Sequence, residues 1–307
     1  MLVLNPPEIQ LLNHPLFLEK GLQVAMLRLD QAHPQASGNK FYKLKYNLEE
    51  AKKRGKNTIL TFGGAYSNHI YACAAAAKLE GLLSIGMIRG DYFDEKNPTL
   101  AFAKAQGMKL HFLDRETYRR KNSPEFVREL EKRLGEFYLI PEGGTNSLAI
   151  QGTQEILGPN TINYTHICTS IGTGGTFAGL AGSIQAEQKL MGFSSLKGDF
   201  IHQEVRDKLN VFDIQPKGSL EIMASYHFGG YAKWKPELID FIHWFFEEFG
   251  VVLDPVYTGK MAFGVIELIQ KNYFPTGSKI LLLHTGGLQG NVGFSQKTGI
   301  LLPSLSK

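Results

Sequence analysis

The order of apolar and polar positions alternates between two periods along most of the chain. Leu44, Leu48 and Ala51 recur at helical spacing, and Gly55 is placed to stop that helix. Residues 58–62 form a short apolar run that predicts a strand, ended by Gly63 and Gly64. Ser67 then caps an alanine-rich helix that runs to Leu79, with Gly81 beyond it. The pattern continues as a strand over 83–88, a helix over 99–106 and a strand over 108–113. Ser123-Pro124 is a cap followed by a first-turn proline and predicts a helix through Leu134. A strand over 138–140 meets Pro141-Glu142-Gly143-Gly144. A helix near 147–157, a strand over 166–170, a glycine-rich turn and a helix from Thr176 follow. Residues 190–230 carry no clear period. Beyond them Leu238, Phe241, Ile242, Phe245 and Phe249 share one helical face behind Pro236, and 279–283 reads as a buried strand ending at His284-Thr285-Gly286-Gly287. Strands and helices in this alternation mean βαβ units and mostly parallel sheets, an α/β fold. The division this suggests is a βαβ unit at 41–148 inserted into a second unit made of 1–40 and 149–307.

Length and composition narrow the function class. A chain of 307 residues suits two domains or one large one. Its 43% hydrophobic and 20% charged residues exclude a disordered or fibrous protein. The net charge of +4 is spread out, which argues against nucleic acid and membrane as partners. No apolar run approaches the ~18 residues of a membrane span. Met1-Leu2-Val3-Leu4 lacks the form of a signal peptide, so a cytoplasmic location is expected. Cys73 and Cys168 lie far apart, and His166, His202 and His243 show no ligand spacing, so neither disulfide nor metal site is expected. Trp234 and Trp244 read as packing or interface aromatics. The outlier is glycine: 33 residues, about a tenth of the chain against a usual ~7%, gathered at predicted strand ends.

Those clusters carry the candidate chemistry. Gly172-Thr173-Gly174-Gly175-Thr176 follows a strand and opens a helix, where free N–H groups and a positive dipole end suit an anion. Phe177 stands where a dinucleotide fingerprint needs a small residue, and the lysine of a nucleotide-triphosphate loop is absent, so a single terminal phosphate fits best. Ser37-Gly38-Asn39-Lys40 places a lysine in a turn. Ser67-Asn68-His69 could hold a carboxylate, or Ser67 could be a plain helix cap. Asp254 to Lys260 and His284 to Gly287 are further turns. A monophosphate cup, a candidate Schiff-base lysine and a carboxylate loop are together what pyridoxal 5'-phosphate chemistry requires.

The segment Ser37-Gly38-Asn39-Lys40-Phe41-Tyr42-Lys43-Leu44 resembles the lysine motif of the family containing D-cysteine desulfhydrase and 1-aminocyclopropane-1-carboxylate deaminase. The likeness continues through 63–69, 141–146, 172–179, Gly229-Gly230-Tyr231, 254–260 and 284–287. The resemblance implies the type II pyridoxal phosphate fold of the tryptophan synthase β group, with two doubly wound three-layer domains, and a homodimer. It implies that Lys40 binds the cofactor covalently, that Gly172, Thr173, Gly174, Gly175 and Thr176 hold its phosphate, and that Thr285 faces the pyridine nitrogen. Ser67, itself a catalytic residue by the resemblance, Asn68 and the backbone of His69 would hold the carboxylate of a small amino-acid substrate, with Asn68 also near the ring oxygen and Thr258 also touching the substrate. Tyr231 and Tyr257 would be acid/base groups. Thr258 and Thr285 stand where the cyclopropane deaminases have glutamate and leucine, which favours D-cysteine desulfhydrase-like elimination; deamination of the cyclopropane amino acid and cofactor binding without turnover are the alternatives. Tyr42, Lys45 and Ala65-Tyr66 depart from the family pattern, and these departures are expected to border the substrate pocket.

Overall fold

The computed structural model describes residues 6–36, 38–90 and 96–304. The leading residues 1–5 and Ser37 of the lysine motif lie outside them. The chain opens with β1 (Ile9–Leu12), α1 (Pro15–Glu19) and β2 (Gln23–Leu27), then enters α2 (Asn39–Lys53). A run of βα units follows: β3 (Thr58–Gly64), α3 (Asn68–Leu79), β4 (Leu83–Arg89), α4 (Pro98–Ala105), β5 (Lys109–Leu113), α5 (Arg115–Arg119), α6 (Pro124–Leu134) and β6 (Tyr138–Ile140). The chain then forms α7 (Ser147–Gln154), β7 (His166–Ile171), α8 (Gly175–Ala181), β8 (Lys189–Ser194), α9 (Phe200–Val211) and β9 (Ser219–Met223). It closes with α10 (Pro236–Phe249), α11 (Thr258–Gln270), β10 (Lys279–Leu283) and α12 (Gly290–Thr298).

The strands form two sheets. One is ordered β1-β2-β10-β7-β8-β9 and the other β5-β4-β3-β6. Every pairing is parallel except the edge pair β1–β2. Alternate strand residues enter separate cores, as a strand's period of two requires. In the larger sheet Val24, Met26, Ile280, Leu282, Cys168 and Met191 pack on the face covered by α10 and α11. Ala25, Leu27, Leu281, Leu283 and Ile167 pack on the other, against Phe177 and Leu180 of α8. The smaller sheet divides in the same way: Ile59, Ile88 and Ile140 face one core, while Leu60, Phe62 and Met87 face the other. Both sheets are therefore the centre of three layers.

Several predicted elements match within a residue or two, and the differences have local causes. Helix α4 begins one residue earlier than its apolar period because the Asn97 side chain accepts from Leu100 N–H at 3.0 Å and Pro98 takes the first turn. The unreadable stretch 190–230 holds β8, α9 and β9. β8 is buried along nearly its whole length and so shows no alternation. α11 and β2 escape for the same reason. On α10 the predicted face is the packed one: Leu238, Ile242 and Phe245 are fully buried, and Phe245→Ala would cost about 3–5 kcal/mol. Among the described residues no helix is long and apolar enough to cross a membrane.

The glycines at 63–64 end β3, and the glycine-rich turns at 141–144, 172–175 and 284–287 follow β6, β7 and β10, so all lie at the carboxyl ends of parallel strands, where open α/β sheets present their ligand crevices.

Candidate active site

Lys40 is positioned by a close backbone contact. Gly38 has φ +72°, and a Cβ built on it would stand 2.1 Å from the Thr285 carbonyl oxygen, so only glycine fits. The next residue, Asn39, donates its N–H to that oxygen at 3.2 Å. Helix α2 thus starts against the loop after β10, and Lys40 in its first turn faces a narrow pocket. Asn39, Asn68, Thr285 and Gln289 line the same pocket. Burial lowers the Lys40 pKa to about 8, although part of the side chain stays open to the pocket.

One turn further, Lys43 is fully buried. Its ammonium donates to the Gly143 carbonyl at 3.1 Å and to Thr145 Oγ1 at 3.0 Å. Burial pushes its pKa well down, and the charges of Lys40 and Lys208 push it further. Among the described residues no carboxylate offsets this for either lysine. The turn after β7 closes over Lys43: a Cβ on Gly175 would lie 2.9 Å from Nζ and 2.4 Å from Thr145 Oγ1. Gly174 takes the left-handed conformation, Thr173 is exposed, and Thr176 Oγ1 accepts from Asn39 Nδ2 at 2.7 Å. A glycine-lined cradle backed by a buried lysine amine that no carboxylate engages fits a phosphate, whose negative charge would favour the protonated amine. With Lys40 beside it for an aldehyde, these residues fit pyridoxal phosphate.

Ser67 is the cap of α3. Its Oγ accepts from the N–H groups of His69 at 3.2 Å and Ile70 at 3.3 Å. The His69 N–H expected to meet a carboxylate is therefore turned onto Ser67, while the Ser67 hydroxyl proton remains to be donated. Asn68 enters the pocket and its Oδ1 accepts from Gln289 Nε2 at 2.7 Å. The His69 imidazole is buried. Thr61 donates its hydroxyl to the Ile140 carbonyl at 2.8 Å, so at 2.7 Å it accepts from His69 Nε2–H. That leaves Nδ1 bare and without a partner. Burial first, and then Lys40 and Lys43, hold this histidine neutral with a pKa well below its usual value.

Tyr257 and Tyr231 meet edge to face with ring centres 6.1 Å apart. Burial and the Tyr231 neighbour raise the Tyr257 pKa, so its phenol keeps its proton. Tyr231 is about half exposed. Its loop is anchored by Lys260, whose buried ammonium donates to the carbonyls of His227 and Gly230, both at 2.8 Å. Burial lowers the Lys260 pKa to about 8. Thr285 lies nine-tenths buried with its hydroxyl 3.4 Å from that of Ser170.

Two expectations need correction. Thr258, expected to touch substrate, is fully buried and spent on structure. Its hydroxyl donates to Asp254 Oδ2 at 2.5 Å and accepts from Asp254 N–H at 2.9 Å, closing a box that also receives the N–H groups of Val256 and Tyr257. Nor do Tyr42 and Lys45 border the pocket. Tyr42 packs in the core with Phe41 and Ile150, and Lys45 pairs with Glu155 at 2.7 Å on the outer side of α2. Tyr66 packs against α12, its ring lying 2.7 Å from where a Cβ on Gly293 would stand.

The structure thus gathers Lys40, Asn68 and Thr285 in one pocket, keeps the 172–176 turn beside Lys43, and pairs Tyr231 with Tyr257. Sequence reasoning passed over Asn39, Lys43, Lys260 and Gln289. Lys43 had a signal: it lies three residues after Lys40, on the same side of the helix, next to Leu44.

A family model described as "Pyridoxal-phosphate dependent enzyme" matches residues 12–286. The chain is 30% identical to the bifunctional D-cysteine desulfhydrase/1-aminocyclopropane-1-carboxylate deaminase of Arabidopsis thaliana, over 89% of this chain and 74% of that one. It is 26% identical to the D-cysteine desulfhydrase of Klebsiella pneumoniae, over 92% and 94%. A solved structure described as an ACC deaminase homologue superposes with a TM-score of 0.79 at 28% identity, covering 97% of this chain and 94% of that one.

Proposed function

We propose, from the premise that this chain belongs to the pyridoxal-phosphate dependent enzyme family, that it eliminates the thiol of a small amino acid in the manner of a D-cysteine desulfhydrase. Cysteine and water would give pyruvate, ammonia and hydrogen sulfide. The chain is a pyridoxal phosphate-dependent lyase or deaminase, and the elimination is the finer reading. It is carried by one observation: the pocket of Lys40 and Asn68 is completed by the hydroxyl of Thr285 and not by a carboxylate. A hydroxyl leaves a neighbouring pyridine nitrogen largely unprotonated, which suits elimination better than amino transfer.

Bound pyridoxal phosphate supplies an aldehyde for an amine and a ring that takes up the electron pair released at Cα. The chain's residues do the rest. Lys43 and the 172–176 turn hold the phosphate. The Ser67 hydroxyl and Asn68 amide orient the substrate carboxylate at the start of α3, where the helix dipole favours an anion. With a pKa of about 8, Lys40 has an appreciable neutral fraction near pH 7 and can take the Cα proton. Tyr257, kept protonated, supplies a proton to the departing sulfur, and Tyr231 stands beside it. The enamine that leaves takes up water and gives pyruvate and ammonia.

A second reading, opening of the cyclopropane amino acid to 2-oxobutyrate and ammonia, is favoured by the name of the Arabidopsis relative, which joins both activities. The test is titration of the cofactor-loaded protein with D-cysteine, L-cysteine, D-serine and the cyclopropane amino acid, following cofactor absorbance and products. Pyruvate and sulfide from D-cysteine are expected. Release of 2-oxobutyrate alone would replace the first reading with the second. Bound cofactor with no product from any of them would make this a cofactor-binding protein without turnover. A homodimer belongs to the same proposal and is checked by light scattering.

A further inference from the structure

The pocket holds a residue to which the proposed chemistry gives no role. Gln289 sits between β10 and α12, at the end of the glycine turn, and its Nε2 donates to Asn68 Oδ1 at 2.7 Å. The two residues are 221 positions apart and belong to the two halves of the cleft wall. Both line the pocket with Lys40 and Thr285. Gly287 walls the other side of the Asn68 amide. It has φ +95°, and a Cβ there would stand 2.4 Å from Asn68 Nδ2.

We infer that Gln289 is a positioning residue that locks the Asn68 amide with its N–H groups, and not its oxygen, facing the pocket, so that the pocket selects an anionic oxygen. An asparagine side chain has one acceptor and two donors on one rigid plane. With the oxygen turned towards Gln289, the N–H groups are the side of the amide left to face a ligand beside Lys40. Turned over, the amide would aim a lone pair at the same place and repel an anion. The inference rests on the pyridoxal phosphate reading above. The anionic oxygen has two sources there, the ring hydroxyl of the cofactor and the substrate carboxylate.

Gln289→Met and Gln289→Glu in the full chain test it. At pH 7 glutamate only accepts, so Asn68 must turn its NH2 towards it and present Oδ1 to the pocket. Methionine removes the lock without reversing it. Before any cofactor is added, the NMR signals of the Asn68 side-chain amide, identified by their loss in Asn68→Asp, are expected to shift in both variants. With pyridoxal phosphate bound, a ring-oxygen contact moves the pH midpoint of the substrate-free absorbance. A carboxylate contact leaves that midpoint alone and raises KM for D-cysteine about ten- to a hundredfold in Gln289→Glu, with a smaller rise in Gln289→Met. Either pattern supports the lock, and a packing role would not rank glutamate below methionine. Unshifted amide signals, or a Gln289→Glu protein with wild-type midpoint and wild-type KM, would overturn it, since the second result means that the two amides pair the other way round. If Gln289→Met does not fold, Gln289→Glu against the wild type carries both measurements; if Gln289→Glu does not, the amide signals in Gln289→Met decide the lock. Should the wild type take up no pyridoxal phosphate, the functional reading fails, while the amide signals still decide the lock.

Discussion

Thr258→Val separates a structural threonine from a substrate-binding one. Valine keeps the shape of the side chain and removes only the hydroxyl, so no cavity opens. Two hydrogen bonds go. The first runs from Thr258 Oγ1 to the Asp254 carboxylate at 2.5 Å, and a bond to a charged group is worth about 1.5–3 kcal/mol. The second is the one Oγ1 accepts from Asp254 N–H at 2.9 Å, and stranding a buried donor costs about 1–3 kcal/mol. Three N–H groups still reach the Asp254 carboxylate, so part of the box survives. A loss of about 3 kcal/mol follows, near the low end of the sum because the remaining donors can re-centre on the carboxylate. At about 2–4 °C per kcal/mol, the melting temperature falls by about 6–12 °C. Tyr257 is held by the same box, so kcat falls as its phenol loses its position, while KM for the amino acid changes little. The assay pairs thermal melting without substrate with steady-state kinetics below the melting range. A Thr258→Val protein of wild-type stability whose KM rises severalfold would refute the argument and return Thr258 to the substrate pocket.

Three further outcomes are expected. Folded Lys40, with a pKa of about 8 against an ordinary 10.5, binds fewer protons than the unfolded chain between those values. The wild type therefore gains stability as pH rises through that window, so a cofactor-free Lys40→Met protein is more stable than wild type at pH 7 by a margin that narrows towards pH 10.5 in urea titrations; a margin independent of pH would contradict this. Gly175→Ala places a Cβ 2.9 Å from Lys43 Nζ and weakens pyridoxal phosphate binding at least about tenfold by fluorescence titration, whereas Gly55→Ala, with nothing within 4 Å of its Cβ, pays only about 1 kcal/mol of backbone strain and leaves cofactor binding alone. His69 carries its proton on Nε2 and is neutral at pH 7, which nitrogen-detected NMR reads directly; an Nδ1–H form would show that Thr61 does not set the tautomer, and a midpoint at or above the ordinary histidine value would show that burial and the two lysines do not hold it neutral.

Much of the site was legible because its parts are local. A serine before an alanine-rich helix is a cap whatever surrounds it, and α3 begins there. Glycines between a strand and a helix mark backbone that must approach something closely, and the turn after β7 does so. Where sequence reasoning failed, the missing information was long-range. Lys43 looks like any surface lysine until Gly143 and Thr145, about a hundred residues away, close over it. Tyr42 and Lys45 differ from the family pattern, but only the packing of α2 on α7 shows that they face away from the pocket.

By itself the sequence determined the α/β class, most of the strands and helices, and the turns that hold candidate chemistry, because helical and strand periods, caps and glycine turns are written within a few consecutive residues. The tertiary structure decided which of those turns share a cleft. It buried Lys43 without a carboxylate partner, took Thr258 out of the pocket to hold Asp254, and set Gln289 against Asn68. The first and last of those outcomes depend on hydrogen bonds between groups about a hundred residues or more apart, and the Thr258–Asp254 box, though only four residues long, depends on the burial that the assembled sheets provide.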